Sequence, residues 1–118
     1  MKLMYKKIIF KIHNEKNGSL IALEDFELPF KPKRIFYIFN AKEDRGNHIP
    51  SAREIIICLN GYVDLILNKD DNEEKIHLNN PQEGYFINKN VKISLKNFSK
   101  DCILLVLNDI NYKDCIYS

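Results

Sequence analysis

The residues best suited to chemistry lie between Arg45 and Gly61, in the run R-G-N-H-I-P-S-A-R-E-I-I-I-C-L-N-G. His48 belongs to the residue type that exchanges a proton near neutral pH, which suits it to general acid–base work. Arg45 offers paired N–H donors for a phosphate-like anion, and Glu54 supplies a carboxyl just ahead of an apolar run. Upstream, P-F-K-P-K-R-I-F-Y-I-F at 29–39 adds a second guanidinium, Arg34, and an aromatic hydroxyl, Tyr37. Each also has a plainer reading. A His after Arg-Gly serves equally as a hydrogen-bonded surface or core residue, and Arg34, Tyr37 and Arg45 serve equally at strand edges. His13 and His77 sit in no motif and read as structural.

The elements that must position these side chains are strands. Residues 7–12, 20–23, 34–39, 54–59, 62–67, 75–78, 85–87, 91–95 and 102–107 are short runs rich in Ile, Phe, Tyr, Leu and Val. Turn signals separate them: Asn17-Gly18, Leu28-Pro29, Arg45-Gly46, Asn60-Gly61, the Lys69–Asn72 cluster, Asn80-Pro81 and Glu83-Gly84. Asn60-Gly61, between two β-rich runs, predicts a tight hairpin, because both residues tolerate the positive φ of a two-residue turn. Alternation of apolar and polar residues along 63–67 and 76–78 predicts half-buried strands. No segment keeps a helical period over three turns. The pattern predicts an all-β domain, a sandwich or jelly roll, spanning 1–118 as one unit.

Composition narrows the function classes. The 118 residues carry a formal net charge of +2 with both signs interspersed, so the basic stripe of a nucleic-acid binder is missing. The longest apolar runs, 55–59 and 103–107, are far shorter than a membrane-spanning helix requires. Lysines are mixed through the N-terminal apolar residues without a small-residue cleavage site, which argues against a secretory signal. The three cysteines, Cys58, Cys102 and Cys115, form no C-x-x-C pair, and the first two sit inside apolar runs as buried thiols would. A reducing, cytoplasmic compartment is expected.

Gly46, His48, Glu54 and Gly61 together resemble the first signature of the cupin superfamily, G…H-x-H-x(3,4)-E-x(6)-G. The resemblance sharpens along the chain. Gly18-Ser19-Leu20, the 29–39 run around Arg34 and Tyr37, Arg45-Gly46-Asn47-His48, the E-I-I-I-C-L-N-G run and N-F-S-K-D-C-I-L-L-V-L at 97–107 are similar, in order and spacing, to the sugar 3,4-ketoisomerases. These small cupins act on nucleoside-diphosphate 4-keto-6-deoxyhexoses, usually carried on dTDP.

The resemblance implies a cupin-type antiparallel jelly roll or small β-barrel, a dTDP-type nucleotide sugar as ligand, no cofactor, no metal, and a homodimer formed through exchanged or abutting N-terminal strands. It implies His48 as acid/base, with Arg34, Tyr37, Arg45 and Glu54 around the substrate, in deoxy- or amino-sugar synthesis for surface glycans such as lipopolysaccharide. Two departures stand out. The second His of the family's H-x-H pair falls on Pro50, which cannot carry a proton and disturbs strand pairing. A family W-H pair falls on Lys92 and Ile93, where Lys92 reads as a rim residue or an anion binder. Of the usual cupin ligand set of three His and one Glu, His48 and Glu54 remain, too few for a firm divalent-metal site. The sequence closes at Ser118, ahead of the short tail that family members carry. The alternative is a cupin that keeps the sugar-nucleotide pocket, or the fold alone, without isomerase activity.

Overall fold

A computed structural model describes residues 3–118. Eleven strands build it: β1 (Tyr5–Ile9), β2 (His13–Glu15), β3 (Gly18–Leu20), β4 (Arg34–Phe39), β5 (Arg45–His48), β6 (Glu54–Asn60), β7 (Val63–Lys69), β8 (Asn72–Leu78), β9 (Glu83–Ile87), β10 (Lys92–Lys96) and β11 (Ile103–Asn108). Helix is confined, among the described residues, to single 3₁₀ turns at Asp25–Glu27 and Tyr112–Asp114.

Five strands in the order β1-β9-β6-β11-β4 form one layer of a sandwich and four in the order β5-β10-β7-β8 the other, while β2 and β3 pair as a separate two-stranded ribbon. All pairings are antiparallel. The two inner faces meet in a core that includes Ile56, Leu104 and Val106 from the larger sheet, with Leu65, Leu67, Ile93 and Leu95 from the smaller. The sheets do not close into a barrel, so the architecture is the open, jelly-roll form of the two expected.

The continuous apolar run of β6 now has a cause. Five successive residues from Glu54 to Cys58 are buried, because both faces of this central strand are covered. Ile56 and Cys58 face the sandwich core. Ile55 and Ile57 face a second cluster, where Phe10 and Phe30 cover the outside of the larger sheet together with Ile21, Leu23 and Leu28.

Asn60-Gly61 is not a hairpin turn. β6 pairs with β9 and β11, whereas β7 pairs with β8 and β10, so the chain crosses here from one sheet to the other. Of the pair only Gly61 takes a positive φ, at +69°. A Cβ there would run into Ser99 and Asp101, whose hydroxyl and carboxylate hydrogen-bond each other at 2.8 Å. The tight hairpin is instead β7–β8, where Lys69 pairs with Asn72 around Asp70 at φ +55°.

Candidate active site

At one end of the sandwich a cavity of about 430 Å³ opens between the sheets. Arg34, Phe36 and Ile38 of β4 with Glu54 and Ile56 of β6 line it from the larger sheet, and Arg45, Gly46 and His48 of β5 from the smaller. Ile93 and Leu95 of β10 supply apolar wall, and Tyr112 and Tyr117 from the C-terminal segment complete the lining.

Arg45 and His48 are three residues apart, and in a regular strand they would point to opposite faces. A bulge brings them together. Ile93 pairs with His48 and Ser94 with Gly46, which leaves Asn47 as an extra, unpaired residue. Asn47 takes φ +59° and Gly46 takes φ +81°. Glycine is required at 46, since a Cβ would stand 2.8 Å from the Ile93 carbonyl oxygen. The kink resets the strand so that Arg45, opposite Leu95, and His48, opposite Ile93, both face inward. The sequence placed a turn at Arg45-Gly46; it is an irregular strand instead, whose irregularity aims the histidine.

Pro50 is almost fully buried and lies outside the cavity lining. It forms an isolated antiparallel bridge with Tyr117. The flanking hydrogen bonds run from Ile49 N–H to the Ser118 carbonyl at 3.0 Å and from Ser51 N–H to the Ile116 carbonyl at 2.9 Å. Pro50 thus occupies a position where the ladder asks it for no donor. This short ladder carries Tyr117 into the cavity, where its ring meets His48 edge-on at 4.8 Å between centroids. Arg34 donates to the Tyr117 hydroxyl at 3.1 Å. The Arg34 guanidinium also lies 4.3 Å from the Phe36 ring centroid and 4.8 Å from that of Tyr112, so two aromatic faces hold it in place.

Glu54 sits deeper, 6% exposed. Burial pushes its carboxyl up to about 7, against the pull of the Arg34 guanidinium and with a further push from Asp109. Asp109 is itself clamped to Arg53, with Nε to Oδ2 at 2.7 Å and the Arg53 backbone N–H to Oδ1 at 2.9 Å. Across β4, β11 and β6, Arg34, Asn108 and Glu54 stand in register as one polar row, of which Arg34 and Glu54 line the cavity. Asn108 is fully buried, and neither its amide nitrogen nor its amide oxygen meets a protein partner.

Of the residues singled out in the sequence, Arg34, Arg45, His48 and Glu54 converge on this cavity. Tyr37 does not, and the expectation that it holds substrate there is corrected. Along β4 residues 34, 36 and 38 face inward, so residue 37 must face outward; it is 64% exposed and stacks on Phe39 at 5.8 Å. Lys92 lies outside the lining as well. His13 is exposed on β2, and His77 hydrogen-bonds Asp64 at 2.7 Å on the far edge of the smaller sheet. Cys58 and Cys102 are buried, and burial pushes their thiols up, that of Cys102 to about 12. Among the described residues no group of three or more His, Cys, Asp and Glu side chains is placed to hold a metal ion. Tyr112 and Tyr117 were missed as cavity residues. The Tyr-rich end at 111–117 was visible, but nothing in its spacing told that it folds back beside Pro50.

The family model described as WxcM-like, C-terminal (FdtA) matches residues 4–118. The TDP-4-oxo-6-deoxy-alpha-D-glucose-3,4-oxoisomerase of Aneurinibacillus thermoaerophilus is 35% identical over 116 residues, covering 95% of this chain and 84% of the relative. The crystal structure of QdtA, a sugar 3,4-ketoisomerase from Thermoanaerobacterium thermosaccharolyticum in complex with TDP, superposes with a TM-score of 0.91 at 34% identity, over 98% of this chain and 89% of that one. WlaRA, a TDP-fucose-3,4-ketoisomerase from Campylobacter jejuni, gives 0.89 at 38% identity over 98% and 90%. Full-length similarity at this level, with the cupin-type fold and the His48 cavity in place, has one conclusion: the chain belongs to the WxcM-like family of sugar 3,4-ketoisomerases.

Proposed function

We propose that the protein moves a ketone between C4 and C3 of a dTDP-4-keto-6-deoxyhexose. The observation that carries this reading is the placement of His48 by the Asn47 bulge, beside a Tyr117 hydroxyl that accepts from Arg34, inside a cavity of a size suited to a small ligand. The curated relative is named for a TDP-linked 4-oxo sugar, and a mutant of QdtA has been crystallised in complex with TDP-4-keto-6-deoxyglucose.

The chemistry divides among the residues as follows. The C3 hydrogen of the sugar is acidic because it lies next to the C4 carbonyl. His48 takes that proton, and the electron pair forms an enediolate across C3 and C4. Arg34 and the hydroxyl of Tyr117, whose lone pair Arg34 already occupies, hold the developing negative charge on oxygen. Returning the proton to C4 from the same face leaves the ketone at C3. Arg45 at the cavity mouth pairs with the diphosphate, and the Glu54 carboxyl holds a ring hydroxyl. One base on one face meets the needs of the carbon transfer, which reconciles the reaction with proline at position 50.

The same reading places the protein in the cytoplasm as a single-domain homodimer, in the synthesis of deoxy or amino sugars for surface glycans. Ile9, 60% exposed at the free edge of β1, is the apolar group at which a second copy would abut. The direct test is incubation with TDP-4-keto-6-deoxyglucose followed by ¹³C NMR at C3 and C4. Movement of the ketone resonance from C4 to C3 supports the reading. Firm binding of dTDP without movement would select the binding-only cupin.

A further inference from the structure

Moving a ketone along a sugar ring moves two protons, and one imidazole working on carbon accounts for only one of them. As C3 loses its proton, the C3–H electron pair becomes the C3–C4 double bond, and the carbonyl pair of C4 moves onto O4, which takes a proton. In the second half O3–H loses its proton, the O3 pair forms the new carbonyl, and the double-bond pair takes a proton at C4. The balance is one hydrogen from C3 to C4 and one from O3 to O4, with no oxidant or co-reactant.

We infer that Glu54 is the carrier of the oxygen-bound proton, giving it to O4 and recovering it from O3, while His48 carries the carbon-bound one. This rests on the isomerase reading above. Among the residues lining the cavity Glu54 is the one carboxyl; it is 6% exposed and stands on the same sheet as Arg34, with Arg45 and His48 on the other. Arg34 and Arg45 offer donors and no acceptor, so they cannot relay a proton. The fully buried amide of Asn108, unpartnered in the protein and next to Glu54 in the strand register, adds a polar group directly behind that carboxyl. The carrier must begin protonated, and burial holds the Glu54 carboxyl at about 7, so the acid form is present at physiological pH.

The charged and titratable groups around Glu54 come from several elements. β4 supplies Arg34, and the end of β11 leads to Asp109 with its partner Arg53. Across the cavity stand Arg45 and His48 of β5 with Tyr112 and Tyr117. β9 presents Ile87 opposite Glu54, and β10 presents Ile93 and Leu95.

The test compares wild type with Glu54→Gln, using TDP-4-keto-6-deoxyglucose in D₂O. Product formation and deuterium entry at C3 are followed together across pH 5.5 to 9. The expected result is a fall in kcat of about 10²-fold, with dTDP affinity within threefold and deuterium still entering C3 of recovered substrate. The wild-type decline of kcat above pH 7 should be absent from the residual activity of the variant. Asp109→Asn removes a charge that raises the Glu54 carboxyl, so the decline should begin at lower pH in that variant. An active wild type with an unaltered rate in Glu54→Gln overturns the inference alone. So does a variant that loses exchange and isomerisation equally while keeping the wild-type pH profile. A wild type that neither isomerises nor exchanges overturns the isomerase reading and this inference together.

Discussion

Glu54→Gln should make the protein more stable at alkaline pH, and the size of the gain follows from where the carboxyl lies. Burial moves it from an ordinary 4.5 to about 7, which corresponds to about 3 kcal/mol of lost preference for the charged form. The unfolded chain releases this proton near the ordinary value, so between the two the native state holds more protons than the unfolded one. A raised folded-state value contributes stability that is full below the unfolded value and lost as pH rises through the folded one. The wild type should therefore lose about 3 kcal/mol from this group between pH 4.5 and 8. Glutamine keeps the shape and carries no charge in either state, so the variant lacks this loss. For a domain of this size the difference amounts to about 10 °C in Tm. Thermal melts of both proteins at half-unit pH steps read it directly, since the pair differs by this one ionisable side chain. The gap between the two Tm values should open as pH rises from 5 to 8. Curves that stay parallel within 2 °C would refute the placement of Glu54 as a desolvated carboxyl.

Three further outcomes follow from the geometry. Gly46→Ala should cost about 1–3 kcal/mol in denaturant unfolding and lower turnover, because the new Cβ meets the Ile93 carbonyl at 2.8 Å and dislodges the bulge that aims His48; wild-type turnover in the variant would show that the bulge does not position the histidine. Tyr117→Phe keeps the edge contact with His48 but removes the acceptor of Arg34, so kcat should fall about 10²-fold with stability nearly unchanged; an unaffected kcat would remove Tyr117 from the oxyanion site. Tyr37→Ser should leave turnover within twofold, since Tyr37 faces away from the cavity; a tenfold loss would mean that its outer face takes part.

Most of the strands, and four of the six charged or tyrosine cavity residues, were legible in the sequence. Alternation in 63–67 and the buried run 55–58 of β6 come directly from which residues are apolar. Where the reading failed, the deciding interactions were distant in the chain. Asn60-Gly61 has the residue types of a hairpin, but strand pairing sends the next strand to the other sheet. Tyr37 was grouped with Arg34 by motif, although a spacing of three in a strand already separates their faces. Arg45 and His48 share that spacing and would have been separated by the same rule; only the bulge against β10 unites them, and its sole sequence sign is Gly46-Asn47. Tyr117 reaches the site through a bridge to a residue 67 positions away, which no local pattern encodes.

The central claim is that His48 carries the carbon-bound proton of a keto-sugar isomerisation. It is tested most directly by turnover of TDP-4-keto-6-deoxyglucose in wild type and His48→Asn, alongside calorimetric dTDP binding to both. The account predicts an active wild type, a loss of about 10²–10⁴-fold in kcat for the variant, and dTDP affinities that agree within a few-fold. An active wild type whose rate survives in His48→Asn would contradict it.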